Sequence, residues 1–227
     1  MNVAYNRDCM EAMREYPDKF FDLAVVDPIY GAVKSGYSHD SKSTSRLAKA
    51  RHYDEEIWKQ PKTGKDYFTE LFRVSKHQII WGGNFFVEEI NKNSPSWLVW
   101  DKRNGENQYA DCELAWTSFP TAVRIFRYRW QGMLQENMQN KEVRIHPTQK
   151  PVALYQWIFQ NYAKPGYKIL DTHLGSGSSR IAAYDAGLDF VGFEIHKGYF
   201  DLQEERFQRH TAQTNLFIDH AEQISFT

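Results

Sequence analysis

The chain has 227 residues, of which 41% are hydrophobic and 25% charged, and a formal net charge of −1. That size fits one ordinary soluble globular domain. A balance so close to neutral excludes a uniformly basic nucleic-acid coat and leaves only local basic patches, and no run nears the 18 apolar residues of a membrane span. In chain order, "MNVAYNRDCMEAMREYPDKFF" carries Arg and acids where a leader peptide needs an apolar run, so a cytoplasmic location is expected. Within it "NVAY" predicts a short strand and "DCMEAMREYP" a short helix stopped at Pro17. Cys9 and Cys112, in neither metal-like nor redox-like spacing, suit a reducing compartment and give no reason to expect a metal.

"FDLAVVD" is a continuous apolar run, the signature of a strand covered on both faces, and it stops at Asp27-Pro28-Ile29-Tyr30. Residues 31–66 form a Ser-, Lys-, Arg- and Gly-rich polar loop, too long for a routine connection and suited to a lid, a binding loop or a disordered segment. "DYFTELFRVSK" reads as a helix with Phe68, Leu71 and Phe72 on one side. "HQIIWGGNFF", "SWLVWDK" and "CELAWTSF" read as strands, and "TAVRIFRYRW" as a strand or a basic arm.

"TQKPVALYQWIFQNYAKPG" is a helix with Pro151 in its first turn and Pro165-Gly166 at its end. Its Val152, Tyr155, Ile158, Phe159 and Tyr162 recur at helical spacing and belong in the core. "YKILDTHLGSGSSRIAAYDAGLDFVGFEI" then reads as strand, glycine turn, helix, Gly187 cap and strand, a βαβ unit of a parallel sheet. The chain therefore predicts an α/β fold, a mostly parallel twisted sheet with helices on both faces. It has no internal repeat or low-complexity tract.

Two segments carry chemistry. Asp171 and Leu174-Gly175-Ser176-Gly177-Ser178 sit where a strand hands over to its helix, so backbone can approach a ligand and the helix start offers free N–H groups. Glu194 ends the next strand, where a carboxylate grips the ribose hydroxyls of a nucleoside cofactor. The ordinary alternative is a tight packing turn and a surface Glu. A dinucleotide fingerprint would need glycine where Arg180 stands, and no P-loop lysine is present, which argues against NAD and ATP. S-adenosylmethionine, with a ribose and no phosphate, remains.

The other segment is the tetrapeptide. Asp27 accepts a hydrogen bond from an amine, Pro28 gives a rigid turn with a free carbonyl, and Tyr30 offers a stacking face. That set suits an exocyclic amine on a nucleobase, a poor nucleophile whose lone pair is delocalised into the ring. Two acceptors holding its hydrogens favour a pyramidal nitrogen aimed at a sulfonium methyl, with Asp27 facing the developing positive charge and an aromatic face holding the extruded base. The ordinary alternative is a strand-ending Asp-Pro turn.

Together, Asp27-Pro28-Ile29-Tyr30 resembles the D-P-P-Y motif of DNA amino-methyltransferases, which act on adenine N6 or cytosine N4. "DTHLGSGSS" with "FVGFEI" resembles their cofactor motif, and "HPTQKPVAL", residues 146–154, a third motif preceding the cofactor strand. Catalytic motif first and cofactor motif last resembles the circularly permuted β group. Residues 2 to about 210 are covered.

The resemblance implies one Rossmann-like methyltransferase domain over residues 1–227, with a short target-recognition segment at about 101–146. It implies that Asp27, Pro28 and Tyr30 bind and activate the base. Asp171, Gly175, Ser176 and Gly177 would wrap the methionine part of S-adenosylmethionine, Glu194 its ribose, Thr148 and Lys150 its helix side, and Asp8 its adenine end. Trp81 and Asn84 become candidates for the base pocket, Trp81 fitting the core better. The expected activity is site-specific methylation of a flipped adenine at N6, of the restriction-modification type. Cytosine N4 is the alternative target, and a catalytically inactive DNA-binding relative the alternative class.

Two departures stand out: Ile29 replaces a second proline, and His173 stands where the family places Phe, where it reads as a packing substitute. For contact with double-stranded DNA the chain offers Arg124, Arg127, Arg129, Lys141 and Arg144, interleaved with Phe126, Tyr128 and Trp130. The polar loop adds Lys34, Lys42, Arg46, Lys49 and Arg51. The short recognition segment implies a short or relaxed target sequence. A homodimer is one way for so small a chain to cover duplex DNA.

Overall fold

The computed structural model describes residues 1–31, 60–105, 110–131 and 134–225, with side-chain surroundings as far as residue 213. The elements run β1 (Asn2–Tyr5), α1 (Cys9–Met13), β2 (Phe21–Val26), α2 (Lys65–Val74), β3 (Ser75–Trp81), α3 (Val87–Ile90), β4 (Trp97–Asp101), β5 (Cys112–Thr117) and β6 (Arg124–Arg127). They continue with β7 (Trp130–Gln131), β8 (Leu134–Gln135), α4 (Val152–Tyr162), β9 (Lys168–Asp171), α5 (Ser178–Asp185), β10 (Asp189–Phe193) and α6 (Lys197–Ser225).

Eight of the strands form one sheet in the order β1-β10-β9-β2-β3-β5-β4-β6, and β7 with β8 makes a separate antiparallel ribbon. From β1 to β3 every pairing is parallel; β5 runs antiparallel to β3 and β4, and β6 pairs parallel with β4. The expected mostly parallel α/β sheet is therefore present.

Period-two alternation fills both sides of it. Leu23, Val25, Ile79, Trp81 and Ile169 face α4 and α5 through Leu154, Tyr155, Ile158, Phe159, Ala182 and Ala183. Ala24, Val26, Ile80, Leu170 and Val191 face α1, α2 and α3 through Ala12, Met13, Tyr67, Phe68, Leu71, Val74 and Ile90. Each large apolar side chain so buried contributes about 1.5–3 kcal/mol.

Two local details differ from the sequence pattern, which assigns no element over α6. The strand in "HQIIWGGNFF" ends at Trp81, because Gly82 turns the chain with φ +66° into a short 3-10 turn over Gly83–Phe85. Pro151 is the extended residue before α4 rather than part of its first turn. The long helix α6 carries no strong apolar stripe, yet Tyr199, Gln203 and Phe207 are buried. Of the polar loop 31–66, residues 32–59, with Lys34, Lys42, Arg46, Lys49 and Arg51, lie outside the described residues. Segment 101–146 supplies β5 and β6 to the main sheet and all of the ribbon.

Candidate active site

The strand order positions the site. β9 passes through α5 to β10 on one side, and β2 leads to β3 on the other. The connections diverge between β9 and β2, the crevice where open α/β sheets bind ligands beyond the carboxyl ends of their strands. Because β2 and β9 are parallel, with Leu23 opposite Ile169 and Ala24 opposite Leu170, Asp27 and Asp171 emerge at the same edge.

On the β9 side, Asp171 is 2% exposed. It accepts hydrogen bonds from the hydroxyl of Ser179 and, at 3.0 Å, from the backbone N–H of His173, both neutral donors. Burial pushes its carboxyl up to about 7, Asp27 and Glu194 adding to the rise and the two hydrogen bonds opposing it. The glycine turn is tied to the next strand by the Glu194 carboxylate, which accepts from Gly175 N–H and His196 N–H at 2.8 Å each. Gly175 and Gly177 hold φ +52° and +72°, a conformation that keeps side chains out of the turn. Arg206 of α6 donates to the Ser176 carbonyl at 2.7 Å and pairs with Glu142 at 2.6 Å. Glu142 in turn accepts from Val152 N–H at 2.9 Å, so one arginine ties the turn to the start of α4.

His146 and His173, beside the glycine turn in space and in sequence respectively, both titrate below the ordinary histidine value. Desolvation pushes His173 down to about 4, and burial with Lys150 and His196 pushes His146 down to about 3. His173 packs edge-on against Tyr67 and shares Thr172 Oγ1 with it through hydrogen bonds, the position its packing character suggested. Thr148 Oγ1 lies 3.1 Å from His146 Nδ1, and the His146 ring lies beside Gly175. Asp8 caps α1, accepting from Met10 and Glu11 N–H at 2.7 and 3.1 Å.

On the β2 side, the Tyr30 hydroxyl donates to Asp27 Oδ1 and Lys150 Nζ to Asp27 Oδ2. Burial, reinforced by Asp27 and Glu113, holds the Tyr30 hydroxyl well above its ordinary value, so it stays a donor. The Tyr30 ring stacks on Phe85 at 4.9 Å and meets Phe86 edge-on at 5.8 Å. It also lies on Gly82, where an added Cβ would come within 2.2 Å of the ring. Gly82→Ala therefore meets both a clash and positive-φ strain, and lowers stability by about 1–3 kcal/mol. A thermal melt and a transfer assay on this variant check the prediction; unchanged melting and rate would exclude the close approach.

The family resemblance implies a place against the cofactor for Lys150. Its ammonium, with a side chain only 3% exposed, lies between Asp27 and Glu113, 3.0 Å from Glu113 Oε2. Lys102 meets the other Glu113 oxygen at 2.6 Å. Burial alone would raise Glu113, but Lys150 and Lys102 outweigh it and bring it down to about 2. Burial opposes the Lys150 charge, and Asp27 and Glu113 together raise it above its usual value.

The site roles of Glu113, Lys102, Gly82 and Phe85 escaped sequence reasoning. One signal existed, a carboxylate at an alternating position of the strand "CELAWT", where a buried face expects an apolar residue. Trp81 is fully buried in the core, as favoured, and Asn84 is exposed. Arg124, Arg127 and Arg129 are exposed on or beside the edge strand β6, and Arg144 lies on the Trp130 ring at 4.7 Å. Among the described residues no His, Cys, Asp and Glu cluster forms a metal site, and no helix is long and apolar enough to cross a membrane.

The family model described as DNA methylase, of the N6/N4 amino-methyltransferases, matches residues 84–205. The type II methyltransferase M.HinfI of Haemophilus influenzae is 21% identical over 246 aligned positions, covering 92% of this chain and 68% of that protein. The crystal structure of the M1.HpyAVI–SAM complex superposes with a TM-score of 0.56 at 18% identity, covering 91% of this chain and 98% of the other. The PvuII DNA methyltransferase, cytosine-N4-specific, superposes with a TM-score of 0.59 at 13% identity, covering 95% and 92%. At those identities the two structures establish a shared fold.

Proposed function

Because the chain belongs to the DNA methylase family of N6/N4 amino-methyltransferases, we propose that it methylates the N6 amine of a flipped adenine in double-stranded DNA. The observation that carries this is the meeting of the Asp27 tetrapeptide and the Gly175–Gly177 turn at the carboxyl ends of neighbouring parallel strands. The choice of adenine rests on Asp rather than Ser at the head of the tetrapeptide, which follows the family's habit.

The residues present fit S-adenosylmethionine. Asp171 is a buried carboxyl bonded only to neutral donors in the contacts above, close to Asp27 and Glu194, an acidic environment suited to a cationic ligand. When bound, that cofactor supplies an electrophilic methyl group on a sulfonium. Asp171, Gly175, Ser176 and Gly177 would hold its methionine end and Glu194 its ribose, with Asp8 and Thr148 further along the same edge. Asp27 accepts one N–H of the target amine and a main-chain carbonyl of the turn accepts the other, which frees the nitrogen lone pair. As that nitrogen becomes positive, the ionised Asp27 stabilises it and receives its proton. Tyr30 orients Asp27 through its hydroxyl and supplies, with Phe85, an aromatic wall for the base. The exposed Arg124, Arg127 and Arg129 contact phosphates.

Nucleoside mass spectrometry of duplex DNA treated with the protein and S-adenosylmethionine tests this. N6-methyladenine is the expected product. N4-methylcytosine would overturn the adenine assignment, and no modified base would overturn the enzyme reading.

A further inference from the structure

We propose that Glu113 is a positioning residue for methyl transfer: it offsets the charge of Lys150, so that Asp27 can act as an anion toward the amine. This rests on the methyl-transfer reading above.

The placement follows from topology. β3 and β4 both end at the carboxyl edge that holds Asp27, and β5 runs antiparallel to both. Glu113, near the start of β5 and paired with Trp100, therefore lies at that same edge, as does Lys102, one residue past the end of β4. Pleat alternation puts Glu113 on the side of Ala115, which packs with Trp81 and Trp100 in the core under α4. Lys150 enters the same space from the segment before α4, its ammonium 5.5 Å from the Trp81 ring. The result is a line of alternating charge: Asp27, Lys150, Glu113, Lys102.

Counting charge along this line gives the role. Asp27 and Lys150 alone sum to zero, and a neutral pair stabilises a developing cation poorly. A lysine this close to the reacting nitrogen would oppose its positive charge. Glu113 brings the sum of the three inner charges to −1 while leaving Lys150 in place to fix the Asp27 carboxylate. Lys102 stands beyond Glu113 in this line, so its charge is farther from the reacting nitrogen and opposes it less; both side chains, 19% and 27% exposed, are more open to solvent than Lys150 at 3%. The nearer charges count most, because the interaction falls with distance.

The test compares wild type, Glu113→Gln, Lys150→Met and the double variant. Single-turnover transfer of a radiolabelled methyl group to duplex DNA is measured with dissociation constants for S-adenosylmethionine and DNA and with melting temperature. Glu113→Gln is expected to slow transfer about 30-fold, with both dissociation constants within about threefold. In the Lys150→Met background the same change is expected to cost less than about threefold, because the cation in contact with Asp27 is gone and Lys102 lies beyond Glu113. Equal losses in the two backgrounds, a loss confined to binding, or a Glu113→Gln enzyme at the wild-type rate would overturn the proposal. If Glu113→Gln alone fails to fold, Lys150→Met against the double variant decides: a further loss above about tenfold overturns it. Wild type without transfer to any DNA would instead sink the methyl-transfer reading, since that control carries no substitution.

Discussion

Asp27→Asn lowers the rate of methyl transfer by about 10²–10³-fold or more, while affinity for S-adenosylmethionine stays within a few-fold of wild type. In the proposed mechanism the carboxylate faces the amine at the moment it becomes positive, whereas Asp171, the glycine turn and Glu194 would hold the cofactor from the β9 side. Asparagine is the sharper variant because of Lys150. Asp27→Ala would strip a buried ammonium of one of its two anionic partners, and breaking a buried pair typically costs about 3–5 kcal/mol. Asparagine keeps an oxygen toward Lys150 or Tyr30 and spares much of that cost. Radiolabel transfer, calorimetric cofactor titration and thermal melting of the same preparation check the three parts. Retained turnover would remove Asp27 from the chemistry; a collapsed melting temperature would reassign it to the fold.

Asp171→Asn is expected to stabilise the ligand-free protein at pH 8 and at the same time to weaken S-adenosylmethionine binding by about 10–100-fold. Asp171 titrates near 7 in the fold, against an ordinary carboxyl value of 3.8. A raised acid favours the folded state in its protonated form. Its contribution is therefore fully present below about pH 3.8 and is lost as the pH rises through about 7. At one pKa unit per 1.36 kcal/mol, ionised Asp171 costs roughly 4 kcal/mol above that pH. Asparagine escapes the cost and raises the melting temperature by roughly 8–16 °C at pH 8, a gap that narrows as the pH falls toward 4.5. On the proposed reading the buried charge serves the cationic cofactor, so wild-type affinity is expected to rise with pH through about 7 and that of Asp171→Asn is not. A melting difference of the opposite sign, or cofactor affinity unchanged in the variant, would refute the assignment.

These two residues sit at the most legible part of the chain. Asp27 and Asp171 were readable because each ends an apolar run and opens a turn, and strand, turn and acid are all local features of sequence. The elements around them were legible for the same reason: "NVAY" is β1 residue for residue, and "CELAWTSF" holds β5. The glycine pair 82–83 was visible too, but only the fold showed that Gly82 turns the chain to end β3 and that the Tyr30 ring lies on it.

Lys150 illustrates the opposite case. Its motif was recognisable, yet a lysine side chain reaches several ångströms in any direction, and its partner is chosen by whichever anions the fold brings within that reach. Here the antiparallel course of β5 delivers Glu113 to the edge where Asp27 already stands, across a separation of 86 residues that no local pattern reports. By itself the sequence determined the α/β alternation, the family and the two chemical motifs, because apolar periodicity and turn chemistry act over a few neighbouring residues. Tertiary structure alone decided which charges pair in the buried line behind Asp27, because strand order and strand direction set distances between residues that the chain keeps far apart.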